Sequence, residues 1–241
     1  MKSSKLFSLL TALATAVLVL SGSIAVPILC RPFYYAHIEA MSLPVYTGLT
    51  VDQIKQAFDE MLDFCLGLRQ DFSVGVLPWS ESGRDHFADV RVLFQLDLVL
   101  LVLSAAALVL LFLFARKRRL TPARLLGRGP GFWAAAGLAA VFLAVGALAA
   151  TDFDRAFVIF HSIFFPGKTN WIFDWRTDPI ILLLPEDFFR NCAILILVLL
   201  VFWCAVLIAA DLLAGRRRKG QAVPPTCPGC PGGAGQGNIC K

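Results

Sequence analysis

Four stretches of this chain are almost unbroken apolar runs, roughly Leu6–Leu29, Leu93–Ala115, Phe132–Ala150 and Cys192–Leu213. Each is long enough to cross a bilayer, which takes about 20 helical residues. Backbone N–H and C=O groups in hydrocarbon need partners within their own segment, so the runs are predicted to be helices. The segments between them are patterned differently. Thr50-Val51-Asp52-Gln53 matches a capping box, in which side chains at both ends satisfy free backbone N–H groups. Ile54, Phe58, Met61, Leu62 and Cys65 then recur with helical period, with Asp52, Asp59, Glu60 and Asp63 on the other face. This predicts an amphipathic helix ending near Gly67. On either side, Phe33–Ile38 and Phe72–Leu77 read as short strands or extended cover. The pattern as a whole predicts an all-α membrane protein with four transmembrane helices and a small mixed extracytoplasmic cap built from two outer loops.

The connection between the last two spans is unusually apolar. Phe153, Phe157, Phe160, Phe164 and Phe165 alternate with Val158, Ile159 and Ile163, and a turn at Pro166-Gly167 leads into Trp171-Ile172-Phe173-Asp174-Trp175. Such a segment suits the outer interface of a bilayer, where the plain role of Trp and Phe is anchoring.

Charge sets the orientation. Lys2 and Lys5 precede the first span, six cations from Arg116 to Arg128 join spans two and three, and Arg216, Arg217, Arg218 and Lys219 follow span four; none of these segments contains an acid. The other two connections, residues 30–92 and 151–190, carry 15 of the 17 acids. Cations accumulate on the cytoplasmic side, so both termini are expected there and both acidic loops outside. The net charge of +5 is then a topology signal, with no implication of nucleic-acid binding. A mean hydropathy of +0.72 excludes a soluble globular chain, and about 100 loop residues allow one small cap but no large separate domain. The organisation expected is a membrane domain over 1–219 and a disordered cytoplasmic tail over 220–241. The start of the chain also resembles a signal peptide, yet its apolar run continues to Leu29, long enough to span. Cys227 and Cys230, with Cys240, lack a fourth metal ligand nearby, so an inert tail is expected. Cys30, Cys65 and Cys192 lie outside, where a disulfide is allowed.

All three histidines fall in the outer loops. His37, among aromatic residues without a nearby charged partner before Glu39, reads as structural. His86 precedes span two in Ser82-Gly83-Arg84-Asp85-His86-Phe87-Ala88-Asp89. With Ser82 as cap it lies in the first turns of a helix, whose positive end favours neutral imidazole, and Asp89 is its i+3 neighbour. His161 sits in Phe160-His161-Ser162-Ile163-Phe164-Phe165; a titratable group in such surroundings is costly and is a functional candidate by default. Asn170, Asp174, Arg176 and Asp178 follow, able to orient imidazoles or contact carbonyls, although structural ion pairs explain the charged three equally well. No Ser-His-Asp order, Gly-x-Ser-x-Gly elbow, His-Glu-x-x-His motif or phosphate loop is present, and no cofactor or metal is expected. An enzyme built from these residues depends on histidine at the outer leaflet.

The four spans, the element Asp85-His86-Phe87-Ala88-Asp89-Val90 and the long element running from Phe160-His161-Ser162-Ile163-Phe164-Phe165-Pro166-Gly167-Lys168-Thr169-Asn170 through Trp171-Ile172-Phe173-Asp174-Trp175-Arg176-Thr177-Asp178-Pro179 resemble the Lit-type lipoprotein intramolecular transacylases of Gram-positive bacteria. The similarity covers about residues 5–215. It implies a substrate that is a diacylglyceryl-modified lipoprotein in membrane lipid, and movement of its sn-2 acyl chain to the α-amine of the N-terminal Cys, giving a lyso-form lipoprotein. Nucleophile and ester belong to one molecule, so no acyl-enzyme is expected. The resemblance implies His161 as general base, and His86 as proton donor to the leaving oxygen, oxyanion holder if protonated, or orienter of His161. Arg176 and Asn170 become candidates for oxyanion or carbonyl contacts, and Asp174, Asp178 and Asp89 for orienting roles. Two alternatives remain: another outer-leaflet enzyme acting on acyl lipids, and a small transporter or structural membrane protein. The latter is disfavoured because the central portions of the spans carry no charge.

Overall fold

In a computed structural model that describes residues 2–221, the chain is a four-helix bundle with a helical cap at one end. The long helices are α1 (Lys5–Leu29), α5 (Glu81–Arg118), α6 (Pro130–Thr151) and α9 (Glu186–Gln221), all apolar and long enough to span a membrane. Helix α1 packs against α5, α6 and α9, and α6 and α9 pack on each other. Small residues let the helices approach: a Cβ at Gly22 of α1 would meet Leu101 of α5 at 3.7 Å, and one at Gly131 of α6 would meet Leu207 of α9 at 3.8 Å. Close backbone approach is the main source of helix association where lipid removes the hydrophobic drive. The lipid-facing sides remain apolar and exposed, as at Leu103, Leu110, Leu148 and Val198.

The cap holds α2 (Arg31–Ala40), α3 (Leu43–Thr47), α4 (Val51–Leu66), α7 (Phe153–Phe164) and α8 (Ile180–Leu183). Helix α4 is the predicted amphipathic helix, with both halves of the Thr50–Gln53 capping box formed and Gly67 closing it at φ +81°. Ile54, Phe58, Met61, Leu62 and Cys65 are buried. They meet Tyr34 and Ile38 of α2, Phe87 of α5, Leu183 of α8 and Phe188 of α9 in the hydrophobic core of the cap. The Tyr34 ring stacks on Phe58 at 3.7 Å, and its hydroxyl donates to the Leu183 carbonyl at 2.9 Å.

One expectation is corrected here. The segment Phe33–Ile38, read as strand or extended cover, lies inside α2. Tyr34 and Ile38, four positions apart, are its buried pair; that spacing shares one face in a helix and in a strand alike, so it did not decide between them. Phe72–Leu77 is extended cover with a turn at Gly75. It is tied to α4 by Glu60, which accepts hydrogen bonds from Ser73 Oγ and, at 2.8 Å, from Gly75 N–H.

The other end of the bundle is basic. There β1 (Lys2–Ser4) pairs in parallel with β2 (Leu120–Pro122). Asp211 of α9 accepts from the Arg124 guanidinium at 2.8 Å and from Gly129 N–H at 3.0 Å, with Arg128 at 3.7 Å. That carboxylate is thus occupied in fixing the link between α5 and α6. Of the tail read as disordered, 220–241, the first two residues end α9, and residues 222–241, with Cys227, Cys230 and Cys240, lie outside the described residues. Cys30, Cys65, Cys192 and Cys204 are free thiols.

Candidate active site

Two elements carry the histidines. Helix α5 begins one turn before His86, capped by Ser80 rather than by Ser82: Ser80 Oγ accepts from Gly83 N–H at 3.0 Å. Helix α7 is capped by Asp152, which accepts from Arg155 N–H at 3.0 Å, and presents His161 as its buried residue on an otherwise exposed, greasy surface. The two imidazoles come together with centroids 5.9 Å apart and planes inclined by 30°. Both are more than nine-tenths buried, with 6% of His86 and 7% of His161 exposed.

An aromatic wall excludes water from the pair. Trp171 stacks on His161 at 4.5 Å and Phe157 lies at 4.2 Å from it. Phe165 and Phe173 present edges to His86 at 5.0 and 5.4 Å. Trp171, which the sequence suggested as a membrane anchor, is therefore a wall of the site.

The ring of His161 is held by its own helix. Its Nδ1 lies 2.8 Å from the Phe157 carbonyl. A carbonyl only accepts, so Nδ1 carries the proton and Nε2 keeps its lone pair. Burial lowers the His161 pKa below the ordinary 6.5, against the opposing effect of that carbonyl. His86, which lies before the apolar run of α5, is pushed down to about 4, first by burial and then by the neighbouring His161, with Asp89 opposing and Lys168 adding to the depression. Burial thus favours the neutral form of both imidazoles near pH 7.

The loop after α7 is clasped to α5 at two points. Asp89 accepts from Lys168 Nζ and, at 3.2 Å, from Asn170 Nδ2. Burial raises the Asp89 carboxyl and these hydrogen bonds more than offset it, leaving it below its ordinary value. Asp178, 4% exposed, accepts from Ser80 N–H at 2.7 Å, Ser80 Oγ at 2.8 Å and Thr177 Oγ1 at 2.9 Å. It completes the cap of α5, and a Cβ at Gly83 would collide with it.

Asp89 and Asn170 thus stand beside the histidines. Asp178 holds the helix that carries His86 and, among the described residues, hydrogen-bonds to neither imidazole. Asp174 accepts from Arg176 N–H at 3.0 Å and shapes its own turn. The Arg176 guanidinium lies over Trp175 at 5.4 Å, and both residues are exposed. His37 donates to the Phe33 carbonyl at 2.7 Å and packs on Phe33 and Phe188. Lys168 and Ser80 escaped notice in the sequence. The one available signal for Lys168 was a cation with no acid within four positions of it.

The profile of the family described as lipoprotein intramolecular transacylase Lit matches residues 9–189. The chain belongs to that family. Three solved structures share its fold, all of the membrane integral lipoprotein intramolecular transacylase Lit from Bacillus cereus. One is 21% identical, covering 90% of this chain and 97% of its own, with a TM-score of 0.78. A variant with a histidine replaced by arginine has 21% identity, 90% and 93% coverage and a TM-score of 0.72. A variant with that histidine replaced by alanine has 21% identity, 89% and 94% coverage and a TM-score of 0.72. No curated protein matches the chain. As a Lit-family chain it is a membrane acyltransferase of lipoproteins, and the transfer is intramolecular.

Proposed function

We propose that the chain moves the sn-2 acyl group of a diacylglyceryl-modified lipoprotein to the α-amine of its N-terminal Cys, at the extracytoplasmic face of the cytoplasmic membrane. The observation that carries this reading is the His161 ring, with Nδ1–H tied to the Phe157 carbonyl and Nε2 free in a dry site beside a second neutral imidazole. Such a group takes a proton from a neutral or cationic amine without any covalent intermediate on the protein. The amine nitrogen attacks the acyl carbon through an eight-membered ring. The C–O bond to the glyceryl oxygen then breaks, and the proton taken by His161 passes to that oxygen, directly or through His86. Closure of such a ring is entropically awkward, and a walled site that holds the bend supplies the proximity advantage. The products are an N-acyl amide and an S-monoacylglyceryl group.

Charge supports the sidedness. The cap end carries the acids, and the opposite end carries Arg116, Arg124, Arg128 and Arg216, as a cytoplasmic face does. Both termini then lie in the cytoplasm, and residues 220–241 take no part in the reaction.

The test is the mass of the N-terminal peptide of a reporter lipoprotein in cells expressing each variant at matched levels. His161→Ala is expected to lower the N-acyl, S-monoacylglyceryl product by about 10²–10⁴-fold, with His86→Ala nearly as severe and His37→Ala mild. Wild-type product from His161→Ala would sink the assignment.

A further inference from the structure

The hydrogen bond between Asn170 and Asp89 has a direction that chemistry dictates. A carboxylate only accepts, so the 3.2 Å contact places Asn170 Nδ2 against Asp89 and turns Oδ1 away. That Oδ1 is buried and has no hydrogen-bond partner among the described residues, and the same holds for Nδ1 of His86. His86 and Asp89 are one turn apart on α5. Buried polar atoms without partners are rare in folded proteins, and each calls for a donor or acceptor that arrives from elsewhere.

Of the two Asn170 N–H groups one is spent on Asp89, and the atom that is buried with no partner among the described residues is the oxygen. Oxygen of an amide accepts. Its natural ligand at this site is an N–H.

Resting on the lipoprotein reading above, we propose that Asn170 Oδ1 accepts a hydrogen bond from the substrate's α-amine and thereby aims the nitrogen lone pair at the acyl carbon. Asp89 is a positioning residue in this arrangement: it fixes which way the Asn170 amide faces. Lys168 occupies the other oxygen of Asp89, so that carboxylate is already paired and the acceptor left for the amine is the Asn170 oxygen. One N–H stays on Asn170 while the nitrogen forms its bond to the acyl carbon. The proton released from nitrogen leaves through His161 to the glyceryl oxygen as the C–O bond breaks.

The test uses two unreactive S-glyceryl peptides with ether-linked alkyl chains, identical except that one carries the free α-amine and the other has hydrogen in its place. Each competes with the diacyl substrate for the full chain in detergent at pH 8. For the wild type, the amine analogue is expected to bind about 10-fold more tightly, the order of one buried hydrogen bond. In Asn170→Leu, which keeps the volume, that preference should fall to near unity while affinity for the des-amino analogue is retained. Asn170→Ala should do the same, which separates loss of the acceptor from an effect of the new side chain. The proposal is overturned if either variant keeps the wild-type preference, or if both analogues weaken equally in the variants. If neither analogue competes even in the wild type, the lipoprotein reading itself fails.

Discussion

The depressed pKa of His86 links its burial to the acid stability of the whole protein. Its folded-state value is about 4 against an ordinary 6.5. Unfolding frees the ring to bind a proton, so between those values the unfolded state carries more protons and stability rises with pH. The contribution is therefore fully present above about pH 6.5 and is lost as the pH falls toward 4. The difference corresponds to about 3 kcal/mol at pH 4. His86→Phe removes the titration and keeps an aromatic ring among Phe87, Phe165 and Phe173. On acidification from pH 7 to pH 4, the wild type should lose about 3 kcal/mol more stability than this variant. For a chain of this size that is on the order of 6–12 °C in Tm. Thermal unfolding in one detergent, with both proteins followed across the pH series, measures the difference. Other acid-sensitive groups, such as Glu60 held at about 2 by Ser73, Gln56, Gly75 and Arg69 against its burial, act on both proteins and cancel. Equal acid losses in the two proteins would refute the premise that His86 is held neutral in a dry site.

The remaining predictions concern the frame around the pair. Asp178→Ala should lower stability by about 3 kcal/mol, because three donors lose a buried charged acceptor. Asp178→Asn should be milder, and Gly83→Ala should resemble Asp178→Ala because its Cβ would enter the same carboxylate; differential calorimetry reads all three. A reporter active only in the cytoplasm should work after Lys219 or between Arg119 and Arg128 and stay silent near Gly75; a silent fusion after Lys219 would contradict the topology. Deleting residues 220–241 should leave lyso-lipoprotein formation near wild type in the same peptide mass assay.

How far the sequence could be read depended on whether the cause of a feature was local. The capping box at Thr50 and the apolar period from Ile54 to Cys65 are written within single turns of helix, and α4 forms where they place it. Phe33–Ile38 was ambiguous because six residues of mixed aromatic pattern fit either period. Only packing of Tyr34 on Phe58 and Leu183 settles it as helix. Ser82 and Ser80 are equally good caps by type, and the choice falls to Ser80 because Asp178, 98 positions away, binds its N–H and hydroxyl.

The sequence alone determined the four spans, their alternating charge and the candidacy of His86 and His161, since hydrocarbon imposes its demands residue by residue. Tertiary structure alone decided that the two imidazoles meet, that Trp171 walls them in and that Asp89 orients Asn170. It also set Asp174 and Asp178 in hydrogen bonds of the surrounding turns and the α5 cap and laid Arg176 over Trp175. Those outcomes depend on how α7 and its following loop dock on α5, through pairs some 80 residues apart such as Asp89 with Lys168 and Asn170. No periodicity within either segment encodes which side chain of one will face which side chain of the other.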